Sequence, residues 1–295
     1  MGLFKSTAII GADGMLGTEL RLAVEKSDEF GRLSCTQFPE TDITHPDSIE
    51  QFLQKARPEI IFNCAAFTNV DECESCAEFA YAVNSRGVGN IASAAARLNA
   101  YLVHISTDYV FNGEKNAPYT EEDTPHPLSV YAHSKLDGER EALGKTRPTL
   151  VVRTGWLYGR YRWNIVDRFL DMCLKGGTLM GARDLTGSPT WTRDLAEAML
   201  VLVGRRAEGI YHVVNKGACS RLEQIQVIAK AVGSNAEVRS VSSEEFKRPA
   251  RAPRYSALSV RKYEQETGRA MRSWQEALSE YVRTESPARL SGGLA

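Results

Sequence analysis

The chain has 295 residues, 43% hydrophobic and 25% charged, and its 36 Lys and Arg against 37 Asp and Glu leave a formal charge of -1. This composition excludes whole-chain disorder, collagen and coiled coil, and the balanced charge makes no general electrostatic case for nucleic acid or an anionic membrane. A chain of this size buries roughly three quarters of its unfolded surface and needs no staples, and no apolar run approaches the ~18 residues that cross a bilayer.

Met1–Ile10 carries one Lys and only a short apolar stretch, so no signal peptide is expected. The first six residues match the loose myristoylation pattern but read better as the lead-in to a first strand. Six cysteines (35, 64, 73, 76, 173 and 219) are scattered along the chain, which suits a reducing cytoplasm rather than a disulfide framework.

Apolar runs at Thr7–Ile10, Leu33–Phe38, Ile60–Cys64, Tyr101–Ser106 and Leu150–Val152 predict short strands buried on both faces. Helical stretches lie between and after them, at Leu16–Lys26, Ile49–Ala56, Ala77–Leu98 and Tyr131–Leu143. Strand–helix alternation with short connections predicts an α/β fold, a Rossmann-type doubly wound parallel sheet. Beyond Arg153 the pattern loosens. Helices are expected at Trp163–Leu174, Arg193–Val203 and Leu222–Val232, a strand at Ile210–Val214, and a basic, proline-broken stretch covers Lys247–Arg254. The organisation expected is a dinucleotide-binding domain at 1–154, with returning segments near 185–215. A smaller, discontinuous substrate-binding lobe would take 155–184 and 216–283, ahead of a flexible tail at 284–295.

Gly11-Ala12-Asp13-Gly14-Met15-Leu16-Gly17 follows the first strand and opens the first helix. Glycines there permit a tight turn, close approach to a pyrophosphate and tight helix–strand packing, while the helix N-terminus attracts phosphate. Nucleotide binding follows from that placement, not from the triplet alone. Tyr131 and Lys135 sit at i and i+4 on one helix face. A phenol titrates near 10, and a neighbouring ammonium would ease its loss of a proton near neutrality. Val103–Asp108 ends a strand in hydroxyls, at the end of such sheets where ligands bind. Hydroxyl, phenol and ammonium together form a reductase constellation.

With these motifs, and with Asp42–Thr44, Asn63–Asp71, Ala82–Asn84, Ser106–Phe111, Arg153–Gly159, Gly187–Thr190 and Arg251–Ser256, the chain resembles the extended short-chain dehydrogenase/reductases. Within them it resembles the dTDP-4-dehydrorhamnose reductase family, over about residues 7 to 260. The resemblance implies reduction, by NADPH or NADH, of the C4 keto group of a dTDP-linked 6-deoxy-4-keto-hexose. It implies Tyr131 as proton donor, Lys135 holding the nicotinamide ribose and lowering the tyrosine's pKa, and Thr107 bonding near the same oxygen. Gly11, Asp13, Gly14, Met15, Leu16 and Gly17 would take the pyrophosphate and Asp42 and Ile43 the adenine, with Cys64, Ala65, Ala66 and Asn84 along the cofactor. Thr68, Val70, Asp108 and Trp156 would meet the sugar nucleotide, and Arg251 and Arg254 its diphosphate. Cys64, Phe67 and His133 depart from the family's usual residues.

The alternative from another class is a non-catalytic regulatory subunit of the methionine adenosyltransferase beta type, which the intact Thr107, Tyr131 and Lys135 set argues against. Another sugar-nucleotide-modifying member of the superfamily is the second alternative. A 4,6-dehydratase would need a second carboxylate directly after Asp108, where Tyr109 stands. Cys73-x-x-Cys76 lacks a second ligand pair, and the five histidines show no paired spacing, so no metal is expected. The expected partner is a dTDP-sugar, with no nucleic acid and no membrane, on a monomer or homodimer.

Overall fold

Strands that are apolar on both faces pack only inside a sheet covered on both sides. The structure, a computed structural model, describes residues 2–284 and places them there. In chain order, β1 (Ser6–Ile10) leads into α1 (Met15–Glu25), β2 (Arg32–Thr36) into α2 (Pro46–Ala56), and β3 (Ile60–Asn63) into α3 (Val70–Ser75) and α4 (Ala77–Tyr81). A π-helical turn, Ala82–Gly87, joins α4 to α5 (Val88–Leu98), and β4 (Tyr101–Thr107), α6 (Val130–Lys145) and β5 (Thr149–Thr154) follow. Next come β6 (Leu157–Tyr158), α7 (Ile165–Lys175), β7 (Thr178–Ala182), β8 (Thr186–Gly187), β9 (Thr190–Trp191), α8 (Thr192–Gly204) and β10 (Gly209–His212). The remainder is β11 (Cys219–Ser220), α9 (Arg221–Ala231), β12 (Glu237–Val241), α10 (Arg261–Thr267) and α11 (Trp274–Thr284).

Six strands form one parallel sheet in the order β10-β5-β4-β3-β1-β2. Leu16, Leu20, Leu195 and Met199 of α1 and α8 cover one face, and Ile49, Leu53, Val88 and Ile91 of α2 and α5 cover the other. The doubly wound α/β expectation holds. The strand order reverses beside β1, whose neighbours β2 and β3 lie on opposite sides, and ligands bind outside the carboxyl ends of strands at such a point.

A second core gathers Tyr158, Val166, Leu170, Leu179, Trp191, Ile225, Ile228, Trp274, Leu278 and Tyr281 around α7, α9 and α11. The expected lobe at 216–283 needs one correction. Leu258, Val260, Tyr263 and Met271 belong to the sheet's core, because α10 covers the edge strand β10 at Tyr211 and packs on α8. Helix α11, which the sequence pattern did not reveal, closes the second core. Apart from Thr284, the expected tail lies outside the described residues. Among the described residues no helix is long and apolar enough to cross a membrane.

Three boundaries shift for local reasons. The second strand stops at Thr36 and not Phe38, because the Thr36 carbonyl accepts from Gly11 and Ala12 and the Thr41 amide then turns back to Gln37. The helix expected from Trp163 starts at Ile165, where Asn164 and Asp167 form a capping box. The single helix expected over Ala77–Leu98 contains the π turn, whose extra residue turns Asn84 inward.

Candidate active site

The chain leaves β1 at Gly11, φ +77, and the amides of Gly11 and Ala12 donate to the Thr36 carbonyl at 2.8 and 3.1 Å. A Cβ on Gly11 would meet the Ala65 nitrogen at 2.7 Å, and one on Gly17 would strike the Gly11 carbonyl, so both glycines close the packing of turn, helix and β3 loop. Gly14 differs. A Cβ there would meet only the Gly11 carbonyl, at 3.5 Å. Gly14 caps α1 without a side-chain hydrogen bond, and the helix's first turn holds no acid. The leading amides of α1 and its positive dipole end are thus left without a protein anion, which suits a pyrophosphate.

The other cofactor-side residues are placed less simply. Asp13 pairs with Arg162 across the turn. The Asp42 carboxylate accepts from the Thr44 amide and hydroxyl at 2.9 and 2.7 Å, and Ile43 is buried beside Gly87, so neither side chain is free. Ala65 donates its amide to Asn63 at 3.1 Å, and Ala65 and Ala66 are half-buried beyond β3. Burial pushes the neighbouring Cys64 thiol up to about 12, with Lys135 opposing, so it is a neutral thiol. Asn84 turns inward. It is fully buried, clamps the Phe67 amide and carbonyl at 2.8 and 2.9 Å and donates to Ser134 at 3.1 Å. Its side chain shapes the loop that follows β3.

Helix α6 starts at Ser129, whose hydroxyl accepts from the Ala132 amide at 3.3 Å. On the face carrying Tyr131 and Lys135, one turn further, Glu139 accepts from Arg153 at 2.8 and 2.7 Å and from Ser106 at 2.5 Å. This buried, bidentate pair fixes α6 against β4 and β5. The Lys135 ammonium donates to the Ile105 carbonyl at 2.6 Å, and burial brings its pKa down to about 8 against the pull of Glu139. Burial instead pushes the Tyr131 phenol above its ordinary value, with the Thr107 hydroxyl, in hydrogen-bonding position, opposing. The phenol is therefore protonated at neutral pH.

At the carboxyl end of β4, Thr107 and Ser256 donate to the two oxygens of buried Asp108, at 3.1 and 2.5 Å. Burial raises Asp108 to about 6, with those hydrogen bonds opposing. The Tyr109 ring stands edge-on to Tyr131, with centroids 6.0 Å apart. Trp156, just past β5, adopts φ +47, a left-handed conformation that costs an L-residue on the order of 1–3 kcal/mol. Gly187 leaves the space its indole occupies, and the Arg221 guanidinium stacks 3.3 Å from its ring centroid.

Thr68 is exposed on the loop before α3, which Val70 opens. The two arginines expected at a diphosphate are both exposed, and Arg254 is paired with Glu244 at 3.0 Å. Arg248, from the same basic stretch, instead reaches Asp71 at 3.0 Å. Cys73 is buried and Cys76 exposed, and among the described residues no group of three His, Cys, Asp or Glu could hold a metal. Sequence reasoning missed Glu139, Arg153, Arg221 and Gln224. Arg153 had left a signal, since a cation inside an apolar strand needs a buried anion.

The chain matches the RmlD substrate binding domain family over residues 5–286. It is 38% identical over 280 residues to the spore coat polysaccharide biosynthesis protein SpsK of Bacillus subtilis, covering 95% of this chain and 98% of that one. It is also 38% identical over 291 residues to the dTDP-4-dehydrorhamnose reductase of Mycolicibacterium smegmatis, covering 97% and 88%. The structure aligns with that of dTDP-4-dehydrorhamnose reductase from Bacillus anthracis in complex with NADP, with a TM-score of 0.89, 35% identity and coverage of 94% and 98%.

Proposed function

We propose, for a chain that belongs to the RmlD substrate binding domain family, that it is an NAD(P)H-dependent sugar-nucleotide reductase. Its reaction is reduction of the C4 keto group of a dTDP-6-deoxy-4-keto-hexose, with dTDP-4-dehydrorhamnose as substrate and dTDP-L-rhamnose as product. The observation that carries the reading is the protonated Tyr131 phenol beside Thr107, on the helix that holds Lys135, at the sheet's ligand-binding edge.

A reduced nicotinamide, when bound, would supply a hydride to C4. Tyr131 gives its proton to the C4 oxygen as charge develops there, and the Thr107 hydroxyl bonds the same oxygen. Lys135, anchored by the Ile105 carbonyl, has further donors that would hold the nicotinamide ribose. Gly14, Met15 and Leu16 hold the pyrophosphate at the uncapped end of α1. Asp108, Thr68, Val70 and Trp156 line the sugar side. We place the enzyme in the cytoplasm, where its six unpaired cysteines remain reduced, as a monomer or homodimer. The regulatory-subunit alternative is not favoured, since the relatives are named as reductases. Turnover of dTDP-4-dehydrorhamnose, followed by loss of reduced-cofactor absorbance, is the expected result. No turnover of any 4-keto sugar nucleotide, with a stable methionine adenosyltransferase complex instead, would reverse the assignment.

Cofactor discrimination should be weak. β2 ends at Thr36, and Gln37-Phe38-Pro39 offers neither a carboxylate to repel a 2′-phosphate nor an arginine to bind it. Arg32 stands at the strand's other end and donates to the Ala56 carbonyl at 2.5 Å. NADPH and NADH should therefore differ in kcat/KM by only about 5- to 30-fold, or ~1–2 kcal/mol. A ratio above roughly a thousand, measured at matched salt, would mean that a charge from elsewhere reaches the ribose.

Lys135 also sets a pH response. Its folded-state pKa, about 8, lies below the unfolded value, so between the two the unfolded chain binds more protons and stability rises with pH. Cofactor affinity should move the opposite way, falling above about pH 8 as the ammonium loses its charge. Denaturant unfolding from about pH 8 to 10 and fluorescence titration from about pH 7 to 9 measure the two trends. Affinity flat across that range would place Lys135 outside the ribose site.

A further inference from the structure

Arg221 opens α9 inside the cleft, and its guanidinium is held in place by neighbours. It stacks on Trp156 at 3.3 Å from the ring centroid, and its Nη1 donates at 2.6 Å to Gln224, which is fully buried. It has no ion pair among the described residues, although Asp108 lies near enough to act on it. Burial pushes its pKa down to about 10, with Tyr109, Cys219 and Asp108 opposing and Arg248 adding to the fall. Arg248 in turn is bonded to Asp71 at 3.0 and 3.3 Å and reaches the Tyr109 hydroxyl.

Arg248, paired with Asp71, adds a second guanidinium close enough to act on Arg221, and both border Tyr109, so a fixed cation without an ion pair of its own stands ready for an anion. A planar fork pre-oriented by stacking and by Gln224 loses little freedom when it binds a phosphate bidentately. We propose that Arg221, with Arg248 beside it, takes the diphosphate of the nucleotide sugar, and that Trp156 serves as its stacking base. The inference rests on the sugar-nucleotide reading and replaces Arg251 and Arg254 in that role. It also explains the left-handed backbone at Trp156, which sets the indole beneath the guanidinium.

Arg221→Met keeps an unbranched stem over the indole but removes the charge and the donors. Calorimetric titration of the full chain with dTDP and with thymidine separates the diphosphate from the nucleoside. Arg221→Met should weaken dTDP by about 10- to 100-fold, the worth of a charged hydrogen-bonded contact, and leave thymidine unchanged. Arg221→Lys should recover part of the loss, and in turnover KM should rise more than kcat falls. Unchanged dTDP affinity in Arg221→Met, or equal losses for dTDP and thymidine in both variants, would overturn the proposal. Wild-type protein that binds dTDP through Arg221 but reduces no 4-keto sugar would uphold the anion site and defeat the reductase reading.

Discussion

Tyr131→Phe should lower kcat by about 10²- to 10⁴-fold while leaving cofactor binding nearly intact. The ring still packs against Tyr109, but the proton donor is gone, and positioned acid catalysis is typically worth that factor. Burial raises the phenol above an ordinary value that already keeps it protonated at neutral pH. Asp108 is the nearest rival donor, with a pKa raised to about 6 and a hydrogen bond from Thr107. Retention of more than about a tenth of wild-type kcat would transfer the proton-donating role to such a group.

The second large effect is on stability. Arg153→Met should cost about 3–5 kcal/mol, because it strands the Glu139 carboxylate in the core beneath the catalytic helix. Among the described residues Glu139 would retain the Ser106 hydrogen bond and the more distant charge of Lys135. Adding Glu139→Gln should recover much of the loss, since removing both charges avoids the uncompensated one. Denaturant unfolding measures both variants. A single-variant loss below about 1 kcal/mol would mean that water reaches the pair. The same pair bears on catalysis, because it sets the height of α6, and with it Tyr131 and Lys135, against β4.

What was legible in the sequence was local. Strands apolar on both faces, a glycine turn between strand and helix, and a phenol and ammonium one helical turn apart are each written within a few residues. The sheet and the position of Tyr131, Lys135 and Thr107 follow from such short-range patterns. What was hidden depends on segments far apart in the chain. Arg221 and Trp156 meet because β11 pairs with β8 and sets the start of α9 over Gly187. The inward turn of Asn84 needs one extra residue in a helix, which apolar periodicity does not register. The phenol's raised pKa reflects burial, which spacing on a helix cannot convey. The pairing of exposed Arg254 with Glu244 likewise joins a basic motif to an acid outside it, which the motif alone does not show.

The most direct test of the central claim follows the hydride itself. The protein is incubated with dTDP-4-dehydrorhamnose and reduced cofactor carrying deuterium at the transferable position, and the product is examined by NMR. The account requires one deuterium, at C4 of the sugar, in step with cofactor oxidation and lost together with it in Tyr131→Phe. Cofactor oxidation without deuterium at C4, or label at another ring carbon, would contradict it.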